Sequence, residues 1–407
     1  MKSGSHFLLV ARQCEIAELE ELARTVELVG AIGRFVHALQ RERGISGVFL
    51  GSQGRRFGEQ RAQQIAACER AEQEVRAQLD GLDTGTGHAR NGSRLFGRVA
   101  VVLHGLAGLP ALRERVAALL LPASEATAIF TRLVAGLLAV VFEAADTATD
   151  PQVSRALVAL FNFMQGKEFA GQERAFGARA FAAGEIDAPA QQQWEHLIES
   201  QQACFDLFAE FAGAQVLQAD RASQEPAVLA QVERLRRIGC TARAGRLDPE
   251  LAHAWYEQCT HRIDAMKAVE DRLAVHLRAL CEQRIAQAHA ELRDQRALFE
   301  SLSAQADAGE PAAGGRYGPH LERSVLELVQ EQSRRMQAMS DELDQVRTSL
   351  NERKVIERAK GLLMAHRHLG EDEAYKALRQ MAMNQNRRLV DVAGAVLSVA
   401  EMLPGTR

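Results

Sequence analysis

The sequence predicts an all-α protein: an N-terminal bundle of about eight helices, a coiled-coil linker and a small C-terminal three-helix domain. Three observations carry this. Among 407 residues only 5% are aromatic and nine are proline, and Ala, Leu, Glu, Gln and Arg recur throughout, a composition that favours helix over sheet. Apolar residues return at spacings of three and four almost everywhere. Short runs of Gly, Pro, Ser and Asp cut that pattern into pieces of helical length. The chain is about 2.7 times the ~150-residue domain prior, so two or three domains are expected.

The first helix is read from Ile16, Leu19, Leu22 and Ala23 into Val26, Leu28, Val29, Ile32, Phe35, Val36 and Leu39. Further helices are expected near residues 61–82, 94–119, 125–147, 152–184, 189–216 and 226–245, and a long one from near Asp248 to about Leu302. The breaks fall at Gly81 to Gly92, Pro122-Ala-Ser, Asp150-Pro151, Ala188-Pro189 and Glu225-Pro226. Short breaks of this kind suit antiparallel neighbours in a bundle. Residues 303–320 lack periodicity and are rich in Gly, Ala and Pro, as a flexible linker is. A heptad follows: Val325, Val329, Gln332, Met336, Met339, Leu343, Val346, Leu350. It makes a seam of roughly 40 Å with one polar position. Both a homodimer contact and a helix docked on its own body fit that pattern.

Charge is uneven. Net charge is −4 overall, but residues 351–407 carry +3 and the first 350 carry −7. A basic tail on an acidic body points to an anionic partner at the C-terminus. The six cysteines are scattered with no Cys-x-x-Cys pair, which suits inert thiols in a reducing compartment and a cytoplasmic protein. The most apolar run, Leu133 to Phe142, is ten residues where a membrane span needs about 20, and the N-terminal apolar stretch is too short for a secretory signal. No membrane partner is expected. The sequence has no Gly-rich phosphate loop, His-x-x-x-His pair or nucleophile elbow, so no enzyme, no metal site and no cofactor are expected. His261 and His366 read as polar surface.

Two arginines sit on apolar faces. Leu28, Ile32, Phe35, Val36, Leu39 and Leu50 fall within about 100° of one another on a helical wheel, and Arg43 falls inside that stripe while Arg41 points away. An arginine there is costly unless paired. Glu42 is the nearest candidate partner, and Ser46 and Gly47, one turn on, leave room for a compact ligand. On the helix from Pro226, residues Val228, Leu229, Val232, Leu235 and Ile238 form the face. Arg236 lies at its edge, with Arg234 and Arg237 outside. In Lys167-Glu-Phe-Ala-Gly-Gln-Glu-Arg-Ala, Glu168, Gly171 and Arg174 lie one turn apart. An ion pair of Glu168 or Glu173 with Arg174 is the expected arrangement, and a pocket-wall position for Arg174 the other.

The stretches Leu39-Gln-Arg-Glu-Arg-Gly-Ile-Ser-Gly, Lys167-Glu-Phe-Ala-Gly-Gln-Glu-Arg-Ala and Trp255-Tyr-Glu-Gln-Cys-Thr-His-Arg-Ile-Asp-Ala-Met-Lys resemble the signature stretches of the NIT domain, the nitrate- and nitrite-sensing family. The resemblance spans roughly residues 25–300 in the right order. It implies an all-helical sensor in which two arginines from different helices grip the anion. Arg43 matches the first; face geometry selects Arg236 for the second. The chemistry is coherent, because a planar guanidinium offers planar nitrate two parallel N–H groups. A best-case four-atom ligand at about 1.5 kcal/mol per atom gives about −6 kcal/mol, a dissociation constant of tens of micromolar. Apolar walls including Phe35 and Leu39 would disfavour strongly hydrated sulfate or phosphate.

After the seam, three helices are implied. The first packs through Val355, Ile356, Ala359, Leu362 and Leu363; Gly370 ends it. The second packs through Ala374, Tyr375 and Leu378 and ends at Ala382. The third runs from Leu389 through Leu403, anchored by Val392, Ala393, Val396 and Val399. Arg353, Lys354, Arg358, Lys360, Arg379, Arg387 and Arg388 surround them. Charge alone leaves a solvated surface and a helix-turn-helix DNA reader both open. Arg353-Lys-Val-Ile-Glu-Arg-Ala-Lys-Gly-Leu-Leu-Met, then Glu-Asp-Glu-Ala-Tyr and Ala-Met-Asn-Gln-Asn-Arg-Arg-Leu, closely resemble the ANTAR domain, which binds leader RNA and antagonises termination. That resemblance implies RNA contacts at Lys354, Arg358, Lys360, Asn384, Asn386, Arg387 and Arg388, on hairpin loops whose unpaired bases are readable.

The expected plan is therefore a sensor over 1–302, a linker over 303–320, a coiled-coil helix over 321–350 and an RNA-binding domain over 351–407. The expected function is a one-component nitrate- and nitrite-sensing antiterminator, a homodimer acting on leader mRNA hairpins of nitrate-assimilation genes. The alternative is a helical signalling protein that senses another anion or works through protein partners.

Overall fold

The computed structural model describes residues 4–82, 92–242, 245–307, 319–367, 369, 371–385 and 387–402. They form thirteen helices. These are α1 (Gly4–Gly51), α2 (Gly58–Asp80), α3 (Gly92–Ala107), α4 (Leu109–Ala117), α5 (Ala123–Thr147), α6 (Pro151–Ala183), α7 (Ala188–Phe211), α8 (Ala214–Ser223), α9 (Pro226–Cys240), α10 (Leu251–Asp307), α11 (Pro319–Arg367), α12 (Glu371–Gln385) and α13 (Leu389–Met402). Among the described residues there is no strand, only one bridge between Glu185 and Arg246. The chain divides into compact units of residues 1–338 and 339–407, so the boundary falls inside α11.

Local chemistry sets the helix ends. Asp150 accepts hydrogen bonds from the backbone N–H groups of Gln152 and Val153 at 3.0 and 3.1 Å, and Pro151 occupies the first turn of α6. Asp187 caps α7 in the same way through Ala190 N–H at 2.8 Å. Gly184 closes α6 at φ 73°, a left-handed cap that glycine adopts without strain.

Two expected helices are broken. The stretch 94–119 is α3 and α4, parted at Gly108 where Pro110 opens the new helix. The stretch 189–216 is α7 and α8, parted where Ala212 and Gly213 turn extended. Among the described residues up to 307 there are thus ten helices, where about eight are expected. Residues 303–307 continue α10 and 319–320 open α11, both inside the expected linker; 308–318 lie outside the described residues.

In the larger unit α6 is central, packed on α5, α7 and α10, and α1 packs on α2, α5 and α10. The apolar stripe of α1 is fully engaged, with Leu28, Ile32, Phe35, Val36, Leu39 and Leu50 all buried. Two stretches, Ser93–Ala117 and Ala123–Thr147, are long and apolar enough to cross a membrane by length and composition, which exceeds the ten-residue run noted above. In the second, half of the most apolar window is buried inside the bundle, as in a core helix.

An aromatic cluster joins α6, α7 and α10. Trp194 and Trp255 meet edge to face at 5.0 Å over Phe181. Gly177 and Gly239 make room, because a Cβ there would come within 2.5 Å of Trp255 and 2.2 Å of Trp194.

In the smaller unit Ala359, Leu363, Ala374, Leu378 and Ala393 form the core. Of the heptad, Leu343, Val346 and Leu350 are buried within the single chain while Met336 is 63% exposed. The side chains of Val325, Val329, Gln332 and Val399, and the whole of Gly370, Asn386 and Leu403, lie outside the described residues.

Candidate anion site and nucleic-acid interface

Arg43 is buried and its partner is distant in sequence. Its Nη1 donates to Glu168 Oε1 at 2.5 Å and to Thr131 Oγ1 at 2.9 Å, and its Nη2 donates to Glu168 Oε2 at 3.1 Å. This is a two-pronged guanidinium–carboxylate pair between α1 and α6. Gln40 and Gln172 each add an amide N–H to Glu168 at 2.8 Å. Glu42, expected to serve Arg43, instead pairs with Arg113 of α4 at 2.8 and 2.9 Å. Adjacent helix residues point about 100° apart, so α1 sends 42 and 43 to different neighbours.

Small residues shape the surroundings of this seat. A Cβ on Gly171 would lie 3.0 Å from Arg43 Nη2, and one on Gly44 would lie 3.2 Å from Arg174 Nη2. Ser46, one turn along α1 from Arg43, is buried and its hydroxyl has no hydrogen-bond partner. A buried hydroxyl left in this way is an available donor.

Arg236 is seated separately. Its Nε and Nη2 donate to the two oxygens of Glu173 at 2.7 and 2.6 Å, and Nη2 also donates to Gln201 at 3.1 Å. Trp194 Nε1 and Gln201 complete the carboxylate's shell at 3.1 and 2.7 Å, with Arg262 at 3.9 Å. Burial alone would raise the Glu173 carboxyl, but Arg236, Gln201 and Arg262 together hold it below its ordinary range. Glu168 and Glu173 are five residues apart on α6, about 7.5 Å along the axis and about 140° around it. The two arginines therefore each hold their own carboxylate rather than one shared point.

The expected pairing of Arg174 with Glu168 or Glu173 does not occur. Arg174 donates to Thr260 Oγ1 at 3.0 Å and lies over the Tyr256 ring at 4.9 Å, and it makes no ion pair among the described residues. Arg234 and Arg237 point to solvent, as their place on the wheel predicts.

Sequence reasoning missed a second buried cluster beside the first seat. Lys167, the residue before Glu168, is 0% exposed and pairs with Glu270 of α10 at 2.5 Å. Lys267 also reaches Glu270, at 3.0 Å. Burial, with the charges of Lys167, Lys267 and Arg41, lowers His37 to about 3 and keeps it neutral. The only available signal was a charged run at a position where the wheel demands burial.

In the smaller unit Arg358, Asn384, Arg387 and Arg388 are exposed and Lys354 is half-buried. Arg388 pairs with Glu352 and Asp391, both at 3.3 Å, and its side chain stays 70% exposed. Asn384 accepts from Gln380 at 2.8 Å. Lys360 differs from these: it is 8% exposed and its ammonium is held to Glu357, one turn back on the same helix, at 3.0 Å.

Comparison with known proteins matches these two regions. The family described as nitrate and nitrite sensing (NIT) matches residues 34–278, and the ANTAR domain matches residues 344–397. A nitrate regulatory protein of Klebsiella oxytoca is 36% identical over 394 residues, covering 96% of this chain and 93% of the relative. The solved structure of the NasR transcription antiterminator aligns with a TM-score of 0.62 at 33% identity, covering 98% of this chain and 99% of that one.

Proposed function

Because this chain belongs to the nitrate- and nitrite-sensing (NIT) family and ends in an ANTAR domain, we propose that it is a one-component antiterminator that couples nitrate or nitrite binding to leader-RNA binding. It is a regulator and not an enzyme, as its family is. The observation that carries this reading is the joining of both regions in one chain, matched along nearly its full length by a nitrate regulatory protein.

Arg43 is the first anion ligand in this reading. It is buried, it presents a planar fork, and the unpartnered Ser46 hydroxyl lies one turn away. Arg236 is the second candidate, and its reach to a shared anion requires release from Glu173. The apolar wall that holds Phe35 and Leu39 disfavours strongly hydrated anions. Arg358, Asn384, Arg387 and Arg388 are the RNA contacts the exposure supports, with Lys354 beside them. Lys360 joins them only if its side chain leaves Glu357. The domain plan is the sensor over 1–302, the connection over 303–320, the seam over 321–350 and the effector over 351–407.

The chain works as a cytoplasmic homodimer, joined through the exposed part of the heptad around Met336. Its ligand is nitrate or nitrite, with no cofactor. Its target is a pair of hairpin loops in the leader mRNA of nitrate-assimilation genes. A ligand shifts such an equilibrium only by its differential affinity for two states; a tenfold difference is about 1.4 kcal/mol. In vitro transcription through a terminator preceded by such a leader tests the reading. Read-through must rise with the protein plus nitrate and not with the protein plus chloride. Equal read-through in both would remove nitrate from the account.

A further inference from the structure

We propose that Glu168 is the chain's own occupant of the anion seat on Arg43, and that nitrate binds by displacing it. This rests on the reading of Arg43 as a nitrate ligand and specifies how that seat is gated. Glu168 presents a planar, singly charged oxyanion to both terminal nitrogens of Arg43, at 2.5 and 3.1 Å. Nitrate offers the same planar edge of two oxygens, and one fork edge serves one two-pronged acceptor at a time. Glu168 also accepts amide N–H groups from Gln40 and Gln172, so four donors converge on one buried carboxylate. That is a complete oxyanion shell, already filled.

Ser46 supplies what favours the incoming anion. Its hydroxyl is buried and unpartnered one turn from Arg43. A carboxylate has two oxygens and nitrate has three, so nitrate can use a donor that Glu168 leaves idle. Displacement also gives the anion leverage on the bundle. Glu168 is the contact through which α6 holds Arg43 of α1, and its neighbour Lys167 holds Glu270 of α10. Expelling Glu168 opens the α1–α6 tie beside a cluster that joins α6 to α10.

The test is calorimetric titration of the full chain with sodium nitrate, comparing the unaltered protein with Glu168→Gln and Glu168→Asp. Gln removes the competing charge; Asp keeps the charge but retracts it by one methylene. Competition predicts that both variants bind nitrate at least tenfold more tightly than the unaltered chain. If the unaltered chain binds nitrate and both variants bind equally or more weakly, Glu168 merely positions Arg43 and the proposal is overturned. If no form binds nitrate, the reading of Arg43 as a nitrate ligand fails with it. Thermal melts of both variants serve as the folding control, and Asp, which keeps the buried charge, stands in if Gln unfolds.

Discussion

Substituting Gly171 by alanine separates the anion seat from the stability of the helix that carries it. The new methyl would stand 3.0 Å from Arg43 Nη2, closer than ordinary contact, so the guanidinium must shift by a few tenths of an ångström. Arginine's flexible end makes that shift inexpensive for the fold. Alanine in a helix interior meanwhile gains about 0.5–1 kcal/mol over glycine. The two effects are comparable, so unfolding free energy should stay within about 1 kcal/mol of the unaltered chain. Binding suffers more, because Glu168 keeps Arg43 Nη1 and the amides of Gln40 and Gln172 when Nη2 moves, whereas nitrate depends on both terminal nitrogens. Loss of one of two parallel N–H bonds to an ionised acceptor costs about 1.5–3 kcal/mol, more than tenfold in affinity. Calorimetry with nitrate and a urea melt on the same preparation read both quantities. An unchanged dissociation constant in a Gly171→Ala protein of unchanged stability would refute the reasoning, because Arg43 would then not be the anion's contact.

Further outcomes follow from the buried charges and the exposed arginines. Lys167→Met should destabilise the fold by about 3 kcal/mol in a denaturant melt, at the low end for a broken buried pair because Lys267 stays 3.0 Å from Glu270. Glu173 is held below its ordinary range when folded, so its contribution is present above the unfolded carboxyl value of about 4.3 and is lost as pH falls through the folded one. The stability difference between the unaltered chain and Glu173→Gln should therefore shrink below about pH 4 in pH-stepped urea melts. Replacing exposed Arg387 and Arg388 by alanine should weaken leader-RNA binding and flatten its salt dependence by about 1.4 units of slope, about 0.7 for each arginine on a single-stranded loop, in filter binding across a salt series.

Much of the fold was legible because helical periodicity is local. The stripe from Leu28 to Leu50 and the cores around Ala359, Leu378 and Ala393 are buried as their spacing requires. The breaks at Gly108 and Gly213 were harder to see, since single glycines interrupt apolar runs that otherwise keep period. The burial of Arg43 and the edge position of Arg236 were also legible, from the wheel alone. Their partners were not. Sequence proximity favours Glu42 for Arg43, yet Glu168 lies 125 residues away and Glu42 goes to Arg113. Which carboxylate meets a buried arginine depends on which helices cross, and the meeting of α1 with α6 and α10 is set by packing across the whole bundle. Lys360 shows the same limit: the ANTAR resemblance implies an RNA contact there, whereas in the smaller unit it is 8% exposed and paired with Glu357.

The central claim is that a buried guanidinium fork in this chain reads nitrate. Its most direct test is a thermal melt of the full protein in nitrate, nitrite, chloride, sulfate or phosphate, repeated with Arg43→Lys, which keeps the charge facing Glu168 and loses the planar fork. At about 100 times the dissociation constant a ligand stabilises by about 2.7 kcal/mol. The account predicts a shift with nitrate and nitrite alone that disappears in Arg43→Lys. An equal shift with every anion, a shift that survives in Arg43→Lys, or no shift at all would contradict it.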